Sequence, residues 1–185
     1  GDVYKRQIYD GEKENLVEFL KLNEIAVQPL FPVTSARFQR LDSKKEIDRT
    51  FNFTWMDKLP EGNEVIAGKW FENENNGISI SSEISERYEL QVNDQIVIDI
   101  AGKKINSYIQ SIREVNWENF SPNFFAIGFP DDFKTISSTF ITSFHIPQEK
   151  KPLSSELMKT FPTISYISLD AIISEVQAII SKVSQ

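Results

Sequence analysis

Ser111-Ile-Arg-Glu-Val-Asn-Trp-Glu-Asn-Phe-Ser-Pro-Asn-Phe-Phe-Ala-Ile127 holds the end of one β-strand and the start of the next. Upstream, residues 95–100 and 105–115 are two β-rich runs joined by turn chemistry at Ala101-Gly-Lys-Lys104, which predicts a hairpin. Downstream, residues 123–129 and 138–146 read as two further strands. Arg113 and Trp117 stand four residues apart around the strand end. That spacing suits a guanidinium stacked on an aromatic ring, with ordinary local packing as the plainer reading.

Working outward, Leu16, Val17, Phe19, Leu20 and Leu22 fall at helical spacing between Gly11 and Asn23, with Asn23 placed to cap the C-terminus. A strand is predicted over 25–39, interrupted by Pro29 and Pro32. Residues 44–48 form a charged turn. In 50–55, Phe51, Phe53 and Trp55 alternate with Asn52 and Thr54, the pattern of a half-buried strand. Pro60 to Asn63 is turn chemistry, 72–77 a polar loop and 78–80 a short strand. Ser82 opens a brief helix carrying Ile84, Tyr88 and Leu90. Residues 152–161 form a helix bounded by prolines, capped by Ser154 or Ser155, and 163–167 a strand. A closing helix over 168–183, with Ser168 as its N-cap, carries Leu169, Ile172, Ile173, Val176, Ile179, Ile180 and Val183 on a narrow stripe.

A helix–strand pair near each end, at 13–39 and 153–167, brackets a mostly β middle. This pattern predicts an α+β fold in which the terminal segments form one mixed lobe and the middle is an inserted β-rich lobe.

A net charge of −7 argues against nucleic acid as a partner. The absence of cysteine excludes disulfides and thiolate chemistry. No stretch approaches the roughly 18 apolar residues of a membrane helix. His145 is the only histidine and sits in a predicted strand, with no Gly-x-Ser-x-Gly elbow to support a hydrolase built on it. Asp131-Asp132 reads as acids at a helix start, and Glu72/Glu74 as a solvated loop. Neither catalytic nor metal-ligating residues are assigned. The many aromatics read as core, with an apolar groove for a hydrophobic ligand as the rival reading.

The opening stretch, followed by Ile141-Thr-Ser-Phe144, resembles the extracytoplasmic domain of FtsX-like, MacB-type ABC transporter permeases, in their YbbP-like branch. There a Ser-Leu-Arg-x-Val-x-Trp strand precedes Asn-Phe-Phe and then Ile-Thr-Ser-Phe. Phe51-Asn-Phe-Thr-Trp55 is similar to the family's Phe-Asn-Leu-Thr-Trp, and residues 59–70, ending in Ala67-Gly-Lys-Trp70, to its Leu-Pro-x-Gly-Asn-x-Ile-Val-x-Gly-x-Trp. At Gln91-Val-Asn-Asp94 the family usually has Gly where this chain has Asn93. Asn tolerates the left-handed backbone that such a turn requires.

The resemblance implies a MacB-like periplasmic core domain. Residues 8–40 and 138–185 would make a porter-like βαβ lobe ending in a stalk helix, and 41–137 the β-rich lobe. Its signature positions here are Trp55, Trp70, Arg113, Trp117, Asn123, Phe124 and Phe125. The implied role is non-catalytic: motion of the protein's own transmembrane helices would be coupled to substrate or partner handling, lipid or hydrophobic-compound export among the options. No cofactor is implied in this domain, and ATP would be used by a cytoplasmic ABC ATPase subunit. A periplasmic esterase-like protein is a further implied partner, and the periplasmic face of the membrane the implied location. Residues 1–7 resemble translated sequencing adapter and are expected to be a scar outside the fold, so the first strand of the βαβ unit is either missing or built by residues 3–9. The alternative function is a soluble extracytoplasmic binding module with an aromatic-lined pocket.

Overall fold

The computed structural model describes residues 2–8, 10–27, 29–72, 77–118, 121–162 and 164–168. The chain runs β1 (Asp2–Ile8), α1 (Asp10–Leu22), β2 (Phe31–Arg40), β3 (Thr50–Trp55), β4 (Asn63–Gly68), β5 (Ile78–Ser81), α2 (Ser82–Tyr88), β6 (Gln95–Ile100) and β7 (Lys103–Val115). It continues through β8 (Ala126–Gly128), α3 (Pro130–Phe133), β9 (Thr139–Ile146), α4 (Leu153–Thr160) and β10 (Ser165–Ser168). It is a mixed α+β fold.

The terminal segments build a four-stranded antiparallel sheet in the order β10-β1-β9-β2. Strands β1 and β2 both oppose β9, so they run parallel to each other with α1 as the crossover. Strands β9 and β10 both oppose β1 and are linked through α4. These are two interleaved split βαβ units. The apolar faces of the helices, Leu16 and Leu20 from α1 and Leu157 from α4, pack on Phe144 and Ile146 of β9. The Phe19 and Phe161 rings meet edge-on at 5.7 Å.

Residues 1–7 were expected to lie outside the fold, yet the backbone of Asp2–Ile8 fills the centre of this sheet, between β9 and β10. The alternative reading of residues 3–9 as the first strand matches that placement. The closing helix expected over 168–183 lies outside the described residues beyond Ser168, which ends β10.

The middle of the chain closes a ring. Strand β2 pairs with β3, β3 with β8, β8 with β5, β5 with β7, β7 with β6, and β6 with β2 again. Two of these ladders, β3–β8 and β5–β7, are parallel. Closure leaves the six strands no free edge within the ring. Its interior is filled by Phe38, Phe51, Phe53, Ile80, Ile98 and Ile109, all buried. Phe38 stacks on Phe51 at 4.9 Å, and Phe133 of α3 meets Phe53 at 4.8 Å. Strand β4 lies outside the ring on β7.

Several local expectations shift by a residue or change agent. Glu24, not Asn23, takes the left-handed conformation that ends α1 (φ 57°), while the Asn23 side-chain amide donates to the Phe19 carbonyl at 2.9 Å. Helix α2 begins at Ser82 as expected and is capped by the preceding Ser81, whose hydroxyl accepts the Ile84 N–H at 3.4 Å. Neither Ser154 nor Ser155 caps α4, which starts after Pro152; the Ser154 hydroxyl donates instead to the Lys151 carbonyl. Asn93 does adopt a left-handed backbone (φ 76°), and its N–H donates to the Ile109 carbonyl at 2.7 Å. Thr54, read as solvent-facing, is fully buried because the outer face of the ring is covered there. Strand β4 went unread. Its burial alternates only weakly, Ile66 is 50% exposed, and pairing with β7 is what makes it a strand.

Gly68 ends β4 at φ +71°, and a Cβ there would collide with the Gln110 backbone carbonyl of β7. Gly68→Ala is therefore expected to cost about 1–3 kcal/mol, as strained backbone positions do. A urea-unfolding midpoint equal to the wild type would contradict that close approach.

Candidate functional site

Side chains alternate across β5. Ile78 and Ile80 point into the ring core, which leaves Ser79 and Ser81 on its outer face. Both serines are nonetheless fully buried, as are Ser111 and Arg113 of the adjoining β7. The guanidinium of Arg113 occupies this covered outer face. Its Nε donates to the Ser79 hydroxyl at 2.7 Å and Nη1 to the Asn63 side-chain oxygen at 2.6 Å. Nη2 donates to the Phe124 carbonyl at 3.0 Å and also reaches the Phe125 and Ser79 carbonyls. One planar fork thus ties β4, β5, β7 and the irregular segment before β8.

Every one of these acceptors is neutral. Burial pushes the Arg113 pKa down to about 9, opposed by the negative charge of Glu83, so the group stays charged at neutral pH. Glu83, at the start of α2, accepts the Trp117 indole N–H at 3.0 Å through Oε1. Trp117 packs on Phe125 with ring centroids 4.6 Å apart. In this region the arginine that stacks on aromatics is Arg49, not Arg113: its guanidinium lies 5.0 Å from the Phe51 ring and 5.2 Å from the Phe125 ring. A ladder Glu83–Trp117–Phe125–Arg49–Phe51 therefore runs beside the buried Arg113.

Of the residues singled out in the sequence, Arg113, Trp117, Asn123, Phe124 and Phe125 come together. The Asn123 side-chain amide donates to the Asn116 carbonyl just after β7 at 3.4 Å and to the Ser121 carbonyl at 3.1 Å. Trp70 sits near Phe124 in a cluster with Val33, Met56, Ile127 and Phe71, and its indole donates to the Asp57 carbonyl at 2.8 Å. Trp55 stands apart in the ring core, stacked on Phe133. Sequence patterning assigns no site role to Ser79, Glu83 or Arg49 and marks Asn63 only as turn chemistry and a motif position. Two serines within a four-residue buried strand are the one local hint of a buried polar partner.

This arrangement holds backbone in place and offers no reaction. Ser79 and Ser111 are hydrogen-bonded to each other at 2.8 Å without a base at hand. His145 is exposed on β9, in the other lobe. Burial and the neighbouring charge of Asp131 push the Asp132 pKa up, at the start of α3. Glu72 lies in a loop, and Glu74 lies outside the described residues. Among the described residues no group of three or more His, Cys, Asp or Glu is placed to hold a metal ion, and no helix is long and apolar enough to cross a membrane. A groove of about 640 Å³ runs along α1, floored by Val17, Leu22, Leu30 and Phe140 and rimmed by lysines and glutamates. Phe140 is its one aromatic wall, and the Lys13 ammonium stands 4.3 Å from that ring.

No protein-family model matches the chain. It is similar to an uncharacterised ABC transporter permease, YbbP, of Escherichia coli strain K12, with 26% identity over 169 residues. That alignment covers 87% of this chain and 21% of the relative, so the chain spans about a fifth of that permease. A solved domain of a candidate permease protein from Porphyromonas gingivalis aligns with a TM-score of 0.43 and 14% identity, covering 90% of this chain and 88% of that one.

Arg113→Met removes the donor from several buried acceptors at about 1–3 kcal/mol each, and should destabilise the chain by at least about 3 kcal/mol. Arg113→Lys should fall between it and the wild type, because an ammonium cannot reproduce the fork. Trp117→Phe, which loses one hydrogen bond to the Glu83 carboxylate, should cost about 1.5–3 kcal/mol. Equal urea midpoints for Arg113→Met and the wild type would rule out the clamp.

Proposed function

We propose that this chain is a non-catalytic extracytoplasmic domain of an FtsX-like ABC transporter permease, a MacB-like periplasmic core of the YbbP-like branch. The observation that carries the reading is the similarity to the YbbP permease over 87% of the chain. The direction of the strands supports it. Strands β1 and β10 are antiparallel neighbours, so the chain enters β1 and leaves β10 at one end of the terminal lobe. A domain inserted between two membrane helices needs that geometry.

On this reading, ATP is bound and hydrolysed by a cytoplasmic ATPase subunit. The terminal lobe follows the membrane helices, and the ring lobe meets substrate or partner. Lipid or hydrophobic compounds are the cargo class and an esterase-like periplasmic protein a partner. The domain itself contributes shape and motion. The second reading is a freestanding extracytoplasmic binding module, favoured by the groove along α1, which falls within the usual range of ligand pockets.

The chain contains no cysteine, so once any cysteines encoded outside it are replaced by serine, a single one introduced here reports sidedness cleanly. Lys104 is exposed at the β6–β7 turn. In the full-length gene carrying Lys104→Cys, a membrane-impermeant maleimide should label the protein in intact spheroplasts. Labelling only after lysis would overturn the extracytoplasmic placement. The same gene should encode apolar segments of about 20 residues on both sides of this region. A complete gene without them leaves the binding module.

A further inference from the structure

Two crossings join the ring to the terminal lobe: β2, and the link over residues 134–138 between α3 and β9. Strand β2 pairs with β9 through Phe31–Val33 and with β3 from Thr34 onward, so the crossing falls between Val33 and Thr34. Away from these ladders, an apolar seam joins the lobes. The terminal lobe supplies Phe31 and Ile141, and the ring side supplies Met56, Ile127, Phe124, Trp70 and Phe71. Phe31 and Phe124 meet edge-on, centroids 6.1 Å apart.

Phe124, Trp70 and Phe71 belong to no strand. No ladder sets their positions, so something else must. Two side chains of β7 do so. The Gln110 amide donates to the Lys69 and Trp70 carbonyls at 3.2 and 3.3 Å, while its oxygen accepts the Gly77 N–H at 2.8 Å. Arg113 holds the Phe124 and Phe125 carbonyls. The Ser81 N–H adds a bond to the Phe125 carbonyl at 2.8 Å.

We propose that Arg113 is a positioning residue for the joint between the lobes: by gripping the Phe124 and Phe125 carbonyls it fixes where the Phe124 ring meets Phe31, and so sets the angle at which the ring stands on the terminal lobe. The physics favours an arginine. Its donors have fixed mutual directions, so anchoring Nε on Ser79 aims Nη2 at the segment, while Nη1 ties the far side of the group to Asn63 of β4. A lysine ammonium on a flexible stem would hold one carbonyl and leave the ring free to re-seat. The Phe124 contact is then the movable half of the joint, and the ladder pairing of β2 with β9 is the pivot. This inference concerns the chain alone and stands whether or not it belongs to a permease.

The test uses paired spin labels at Lys104→Cys in the ring lobe and Glu156→Cys on α4, both exposed in a cysteine-free chain. The labelled parent should give one narrow distance distribution. Arg113→Lys and Phe124→Ala should each broaden it and add a shifted population. The double variant should look like Phe124→Ala alone, because the arginine acts through that ring. Asn63→Ala also strips a bond from the guanidinium, but on the β4 side; it should lower the urea midpoint and leave the distances unchanged. That contrast separates positioning from general loss of stability. Should Arg113→Lys fail to fold, Ser79→Ala, which removes the Nε acceptor, is expected to broaden the distribution in its place. A parent-like distribution in folded Arg113→Lys, or in Phe124→Ala, overturns the proposal. So does equal broadening in Asn63→Ala.

Discussion

Strand β2 is the constraint on which both lobes rest. Its ten residues pair with β9 at the start, with β3 in the middle and with β6 at the end. One strand is therefore the edge of the terminal sheet and a member of the ring. Because side chains alternate with a period of two, a one-residue slip of β2 would expel Ala36 and Phe38 from the ring core and displace Phe31 and Val33 from the seam at once. Register here is over-determined: two cores and three partner strands each demand the same one.

The ring solves a problem that the central β sequence would otherwise carry. Strands this apolar, left open, would present edges to other chains. Closing β6 back onto β2 removes them, and leaves β4 to screen part of β7. Ring closure has its own demand. Segments that connect the strands must lie over the outer face, and they bring backbone carbonyls with them. Buried carbonyls need donors. Arg113 supplies them from inside the fold, at the cost of burying a cation among neutral partners, with Glu83 the charge that offsets part of that cost. A buried charge of this kind is a poor source of net stability and a good source of directional restraint.

The aromatic residues divide along the same line. Phe38, Phe51 and Phe53 fill the ring core, where shape and volume decide. Trp117, Phe125 and Arg49 stack beside the ring core, where ring contacts and a single indole hydrogen bond decide. Trp70, Phe71, Phe31 and Phe124 form the seam. The aromatic content thus serves these three environments and the terminal-lobe core, where Phe19, Phe144 and Phe161 pack, while the α1 groove draws on Phe140 alone.

What the sequence determined by itself is the set of features decided within a few residues. The β6–β7 hairpin follows from alternation around Ala101-Gly-Lys-Lys104, the α1 stripe from helical spacing, and the Asn93 turn from the tolerance of Asn for positive φ. The mixed α+β class was legible for the same reason, since it needs only the order of element types. The tertiary structure alone decided the parallel ladders β3–β8 and β5–β7, the strand character of β4, and the burial of Thr54, Ser79 and Arg113. It also decided which cation stacks and which one is clamped. Arg49 and Arg113 have the same side chain; only the distant partners brought beside each, Phe51 and Phe125 for one, Ser79, Asn63 and two carbonyls for the other, make their roles differ. Local propensity is a property of neighbours in the chain, whereas a ladder partner or a buried acceptor is a property of neighbours in space, and no periodicity encodes which of those will arrive.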